Sequence, residues 1–559
     1  MNGPRAVISK LRLAWKLLTL HEAERTYLAS VRECFGGIER ATAGRETAGE
    51  PVRALCQLPQ DHFFWLRLLP ILEDLRLDPR CRIDFVDPLH DFHRPPPTTR
   101  LGRVQERLEE LKWRRLYRLR GSERIALRFR DRTDEVHFAR ARAIVATLET
   151  RADLVGLTLD DVPVGDLIHD TYLRYKPAPF VDLRDEMLIQ VIGKALLILA
   201  RSAEYLRAHA PSLLLTTYTT YIEHGILVRL ALRRGVRVFA VGAVDPFLRE
   251  VELDFPNHGK DHTKYRRLFQ QLAPDEQRSA RAAALRILQE RFAGKIDPAI
   301  GYMKASSFGP VTEEDRRWRE RFVSEPRHKV LVGLHCFFDS PHIYRDMLFA
   351  DFHAWAEFVL ERTAKLGNTR VYVKPHPNGL PGNDAIVRGL LARHPHAVEI
   401  PARLSNRVIA ESGFAAILTV YGTIGHEMSF HGVPVINAGD NPHAEYEFCL
   451  TPRSTEELAG HLAAIDQGRM AHTADREEIA EFYFMHALFP HRGRGPEEAR
   501  RRYLAPFNNI WGFDEAAFRE LMRTHAGRLA PHIEAMLVAA HEVLPAPHRA
   551  AIHPGPGAR

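Results

Sequence analysis

Residues 371–378, VYVKPHPN, carry a β-branched, apolar run into Lys374-Pro375-His376-Pro377. Proline lacks an N–H, fixes its own φ and pushes the preceding residue away from helix. Lys374 and His376 are therefore expected to be rigid and extended at the carboxyl end of a strand, reaching into a cleft. Lysine is a compact charge suited to phosphate, and histidine can donate to a phosphate oxygen or protonate a leaving group. The plain alternative is a proline-rich strand exit with two solvated polar residues. A second exit of similar character lies at 419–427, TVYGTIGHE. There a buried strand stops at Tyr421, and Thr423 is placed to cap a helix whose free N–H groups favour an anion. Gly422 and Gly425 are expected to admit a phosphate close to the backbone, and Glu427 to accept from ribose hydroxyls. After the next strand, GDNPHAEYEF makes His443 a further candidate contact to a donor, although a turn rich in Asp, Asn and Pro forms without any ligand.

Two such exits suit the phosphates of a nucleotide, and transfer from a nucleotide requires a base near the acceptor hydroxyl. Asp166, Asp170, Glu223, His335 and Asp339 are candidates, and Asp170 and Asp339 are chosen. Asp166 and Asp170 lie four apart, with Arg174 a further turn along, so a salt-bridge ladder within one helix competes with the catalytic reading. Tyr172, Arg174 and Tyr175 can grip an acceptor or serve as ordinary surface.

These residues need strands that deliver them to one edge. Strand–helix–strand alternation runs through 211–242 and again through 329–465, the pattern of parallel α/β sheets. In the first block, 213–217 reads as strand, 222–233 as helix and 236–241 as strand. In the second, strands at 329–335, 369–375, 414–420 and 433–439 alternate with helices at 347–366, 384–393, 424–431 and 455–465. The expected fold is therefore α/β, with two Rossmann-like domains facing a cleft and a C-terminal helical extension. The boundaries are 1–323 for the acceptor-side domain, 324–475 for the nucleotide-sugar domain and 476–559 for the helical extension with a flexible tail. The first 130 residues are the least readable.

The chain has 559 residues, 45% hydrophobic and 27% charged, so it is long enough for two cores and too apolar for a disordered protein. No window reaches the roughly 18 uninterrupted apolar residues of a membrane span. The stretch 6–20 is broken by Lys10, Arg12 and Lys16 and reads as an amphipathic helix, buried or lying on a membrane surface. Five scattered cysteines without a CxxC pair argue against a disulfide framework or a zinc site, and a cytoplasmic location follows. The arginine-rich run 112–132 brings no nucleic-acid signature with it, so no nucleic-acid partner is expected.

KPHP, followed by YGTIGHEMSFHGVPVINAGD, resembles bacterial capsule polysaccharide synthesis and surface carbohydrate proteins of the GT-B glycosyltransferase type. These are related to Kdo transferases and His-Pro-motif sialyltransferases. LHCFFDSPHIYRDMLFADFHAWAEFVLE (334–361) and PVGDLIHDTYLRY (163–175) are similar to further segments of that group. The resemblance covers about 160–450. It implies a GT-B enzyme that moves a sugar from a nucleotide-sugar donor, CMP-linked ahead of UDP- or GDP-linked, to a capsular or other surface polysaccharide or glycolipid acceptor. By the same likeness His376 contacts the leaving phosphate, Lys374 neutralises it, Thr423 and the amides after Gly422 bind it, and Glu427 binds the ribose. Metal independence, no cofactor beyond the donor substrate, and peripheral contact with the cytoplasmic face of the inner membrane and its export machinery are the accompanying expectations. A CDP-glycerol or CDP-ribitol phosphotransferase and a nucleotide-sugar 2-epimerase are the alternatives.

Overall fold

The computed structural model describes residues 19–42, 52–87, 99–119, 122–127, 134–242, 248–296, 305–344, 346–489, 515–525, 527 and 529–544. The expected amphipathic stretch 6–20 lies almost wholly, and the tail 545–559 wholly, outside them.

The first sheet comprises β1 (Arg53–Cys56), β2 (Arg82–Asp87), β3 (Arg124–Ala126), β4 (Leu213–Thr216), β5 (Arg237–Val241) and β6 (Leu248–Val251), in the order β3-β2-β1-β4-β5-β6. Every pairing is parallel except β5–β6. The second comprises β7 (His328–Gly333), β8 (Thr369–Lys374), β9 (Val398–Glu399), β10 (Ala416–Leu418) and β11 (Val435–Ile436), all parallel, in the order β9-β8-β7-β10-β11. Both sheets run 3-2-1-4-5 through their parallel strands. This is the doubly wound order, whose crevice opens at the carboxyl ends beside the switch point. The architecture is α/β with two Rossmann-like domains.

Parallel strands covered on both faces need apolar residues of both parities. In β7, Val330 and Val332 enter one core with Trp355 and Val359, whereas Leu331 faces the other with Tyr372 and Ile417. That second core also takes Tyr265, Phe269, Ile287, Leu288 and Phe322, so the described residues between 265 and 322, assigned by sequence to the first domain, pack on the second sheet. Ile479, Phe482 and Phe484 join the same core. The helices Glu515–His525 and Leu529–Val543 return to the first domain, where Phe518, Leu521, Ile533 and Met536 pack with Tyr27, Trp65 and Leu69. The basic run is partly tied down: Lys112 pairs with Glu24 at 2.7 Å, Arg118 pairs with Glu73, and Trp113 and Tyr117 are buried. No helix among the described residues is long and apolar enough to cross a membrane.

Candidate active site

The second sheet presents β7 and β10 at its switch point, with β8 alongside. Beyond β7 the chain reaches His335 and Asp339, beyond β8 His376, and beyond β10 Tyr421, Gly422 and Thr423. His335 is 8% exposed, and burial next to His376 lowers its pKa to about 3, so the ring is neutral. Its Nε2 accepts from the backbone N–H of Val420 at 3.3 Å and of Tyr421 at 3.4 Å. Phe352 stacks on the ring at 4.6 Å, and Tyr421 lies tilted against it at 4.7 Å. His335 therefore holds the β10 turn and has no lone pair left for a substrate proton.

His376 is partly exposed, and its Nδ1 accepts from the Asn378 amide at 3.3 Å. A neutral ring in that position carries its proton on Nε2, which has no hydrogen-bond partner among the described residues. Burial lowers the pKa of this histidine, and Asp339 opposes the shift. Asp339 is exposed and also lies within electrostatic reach of Arg174, Tyr218, Tyr221 and Tyr421. Arg174 enters from the first domain, at the end of helix Gly165–Tyr175. It is half-buried and makes no hydrogen bond or ion pair among the described residues. Tyr221, beside it at the β4 exit, has φ of +66°, a left-handed backbone that a bulky residue keeps only when its surroundings enforce it.

Asp170 faces the same cleft from the middle of that helix, but both its oxygens are engaged. Oδ1 lies 2.7 Å from His342 Nδ1 and 3.3 Å from His169 Nδ1, and Oδ2 accepts the His342 amide at 3.2 Å. Burial would raise the Asp170 pKa, but the two imidazoles, His342 first, hold it below the usual carboxylate value. A carboxylate so stabilised is a poor proton acceptor. His169, Asp170 and His342 offer three ligand atoms within 4.8 Å of one another and are the set that could hold a metal among the described residues.

Other expected roles are redistributed. Lys374 does not leave the strand end for the cleft. Side chains alternate along β8, so Lys374 shares the face of Tyr372, turned toward the Phe322 and Ile417 core. Its Nζ donates to Leu404 O at 2.7 Å and Asn406 Oδ1 at 2.6 Å. Glu427 is 1% exposed and pairs with the equally buried Arg291, so it is not placed to bind a ribose. Thr423 sits at the start of helix Ile424–Phe430 in an αR conformation and makes no side-chain capping bond. Gly425 makes room for a side chain instead of a phosphate, since a Cβ there would stand 2.6 Å from His443 Cε1. His443 is 2% exposed, and burial lowers its pKa to about 3 among Phe448, Phe482 and His426. Asp166 pairs with Arg229 at 2.5 Å across to the helix Ile222–Arg233, not with Arg174. Tyr172 is buried with its hydroxyl on Asp185 at 2.6 Å, and Tyr175 donates to Glu223 at 3.2 Å.

Sequence reasoning did not single out His342, Arg291 or Asn406. For Lys374 the strand parity with Tyr372 was a readable signal. For His342, the proline before it marks a tight turn, but its partner lies 172 residues away.

No protein-family model matches this sequence, and no curated protein matches it. Among solved structures, the UDP-GlcNAc 2-epimerase from Neisseria meningitidis bound to UDP-GlcNAc is 10% identical, with 77% of this chain and 97% of that one covered at a TM-score of 0.25. The β-Kdo 2,4 transferase KpsC of Thermosulfurimonas dismutans is 16% identical over 50% of this chain and 80% of that one, at 0.28. Sucrose-phosphate synthase from Thermosynechococcus elongatus is 10% identical over 85% and 100%, at 0.24. Likenesses this weak carry no argument about chemistry; the strand orders of the two sheets stand on their own.

Proposed function

We propose that this chain is a glycosyltransferase that moves a sugar from a nucleotide-sugar donor, a CMP-linked one foremost, to a growing capsular or other surface polysaccharide, without a metal. One observation carries the reading. Arg174 from the first domain and His376 from the second are two cationic or proton-donating groups whose reactive ends have no hydrogen-bond partner among the described residues, and both lie within reach of Asp339. Departure of a sugar leaves negative charge on the donor phosphate, and preorganised donors aimed at that charge lower the barrier. His376 Nε2–H supplies one hydrogen bond and the Arg174 fork two more. Gly422 and Thr423 lie at the neighbouring exit, where the donor's remaining phosphate oxygens face the turn held by His335. Asp339 is the open carboxylate of the site, placed to accept from a sugar hydroxyl. The polysaccharide acceptor and the place at the inner membrane with its export machinery rest on the sequence resemblance alone.

Thermal shift with CMP, CDP, UDP and GDP tests the reading, because a ligand that binds only the folded state raises the melting temperature with concentration. One of the four should stabilise the wild type, and Arg174→Ala and His376→Ala should each abolish the shift. No shift with any of them, or a shift that survives both substitutions, overturns the donor site. Product analysis with the matching labelled nucleotide sugar then separates transfer from epimerisation or polyol-phosphate transfer.

A further inference from the structure

We infer that His342, oriented by Asp170, is the general base of this cleft, and that the cavity on which it opens takes the saccharide acceptor. The inference rests on the glycosyl-transfer reading and names a base that the reading leaves open. His342 lies in the short turn Pro341–Ile343, nine residues beyond Gly333 at the end of β7. Asp170 grips it twice, ring Nδ1 at 2.7 Å and backbone amide at 3.2 Å. With Nδ1 committed as donor to the carboxylate, the neutral ring presents its lone pair at Nε2, which has no hydrogen-bond partner among the described residues. A carboxylate that fixes the tautomer of a histidine and stabilises the imidazolium it becomes is the arrangement of hydrolytic triads without the nucleophile.

The ring lines a cavity of about 620 Å³ between the domains. Tyr344, Phe255 and Phe349 give it aromatic faces, and Asn257, Asp346 and Arg229 give it polar groups. Aromatic faces with a few polar side chains suit a polyhydroxylated ring, whose C–H face packs flat while its hydroxyls hydrogen-bond. The Tyr344 ring lies 5.0 Å from that of Tyr421, so the cavity adjoins the switch point of the second sheet. In the step, an acceptor hydroxyl oxygen forms the new bond to the anomeric carbon as the bond from that carbon to the donor phosphate breaks. The electron pair leaves on the phosphate oxygen toward His376 and Arg174, and the hydroxyl proton passes to His342 Nε2.

The same three residues could be read as a metal site. The 2.7 Å Nδ1–Oδ1 separation argues otherwise, since two atoms bound to one zinc at about 2.1 Å in tetrahedral geometry stand about 3.4 Å apart.

Three measurements on the full chain test the inference. In nucleotide release from CMP-, UDP- and GDP-linked sugars, His342→Ala should lower the rate at least ~100-fold, the lower range for a lost general base, while the thermal shift with the free nucleotide persists. Asp170→Asn should move the acid limb of the pH–rate profile downward, since among the described residues Asp170, Asp166 and Asp351 are acidic groups facing His342 and His169 is a base facing it. Carbethoxylation by diethyl pyrocarbonate, read by mass spectrometry, should modify His342 in the native protein well before buried His443 and His426. Release unimpaired in His342→Ala overturns the base while leaving the function intact. A wild type that neither binds nor cleaves any donor overturns the function, and the base with it. A native His342 inert to the reagent, or stoichiometric zinc lost on Asp170→Asn, overturns the open Nε2 directly.

Discussion

Lys374 and Glu427 are joined through one side chain: Asn406 accepts from the lysine Nζ at 2.6 Å and donates to Glu427 Oε2 at 2.8 Å. Arg291 closes the network on Oε1. Glu427→Gln takes the Glu427 charge away from a guanidinium that is 1% exposed, and breaking one partner of such a buried pair costs up to about 3–5 kcal/mol. Lys374→Met leaves only the Asn406 and Leu404 oxygens unsatisfied, about 1–3 kcal/mol, and removes a desolvated ammonium that offsets part of that. Urea denaturation should rank Glu427→Gln well below Lys374→Met, and both should keep the nucleotide-induced thermal shift. A Lys374→Met protein of full stability that no longer answers to nucleotide would return the lysine to the donor site.

The same lysine gives a pH signature. Burial lowers its pKa to about 8 from 10.5, with Glu427 and Asp315 opposing. The unfolded chain then holds more protons than the folded one between those values, so stability rises with pH there. The shift corresponds to about 3 kcal/mol at most. Melting temperature measured from pH 8 to 10.5 should climb in wild type relative to Lys374→Met, and parallel curves would disprove the shift.

Gly425 and His443 should be coupled. A Cβ at 425 would stand 2.6 Å from the His443 ring, and overpacking a filled core costs about 1–3 kcal/mol. His443→Ala opens a cavity at the same spot. Their double mutant should lose clearly less stability than the sum of the singles, and simple additivity would show that the two do not touch.

Much of this fold was legible because parallel strands leave long apolar runs between helices of regular period. The helix 222–233 is found as Ile222–Arg233, and 384–393 as Asn383–Arg393. The expected helix 347–366 begins only at Phe352, where Asp351 accepts from the Ala354 amide at 2.7 Å and caps it. β1, β2 and β3 escaped notice because Arg53, Arg82, Asp84 and Arg124 break their apolar pattern, although Arg53 and Asp84 satisfy each other at 2.8 Å between neighbouring strands. At the site, the sequence located the three strand exits, since prolines and glycines mark them. It could not assign which side chains leave the sheet end and which turn back into a core. That depends on partners such as Arg291 and Asn406, which lie 136 and 21 residues from Glu427.

His335 should contribute no pH dependence near neutrality, because burial keeps it uncharged until about pH 3. Its worth lies in the amides of Val420 and Tyr421. His335→Phe keeps the stacking on Phe352 but leaves those N–H groups without an acceptor, for about 1–3 kcal/mol. Urea denaturation should show that loss equally at pH 6 and pH 8. A loss that varied between those pH values would mean that His335 titrates there.

The Asp170–His342 contact has a pH window whose sign separates a hydrogen-bonded pair from a metal site. Burial would lower the His342 pKa, but Asp170 outweighs it and raises the value above 6.5. That contribution to stability is complete below 6.5 and is lost as pH rises through the raised value. The Asp170 carboxyl is depressed below 3.8, so its contribution is present above 3.8 and is lost as pH falls through the depressed value. The gain of wild type over His342→Ala in melting temperature should therefore be greatest between about pH 4 and 6.5 and should shrink above it. Metal ligation has the opposite slope, because imidazoles must lose their protons to bind and the site tightens as pH rises. A difference that grew from pH 6 to pH 8, and vanished with EDTA, would make His169, Asp170 and His342 ligands; a difference that fell over that range, with or without EDTA, makes Asp170 the holder of a base.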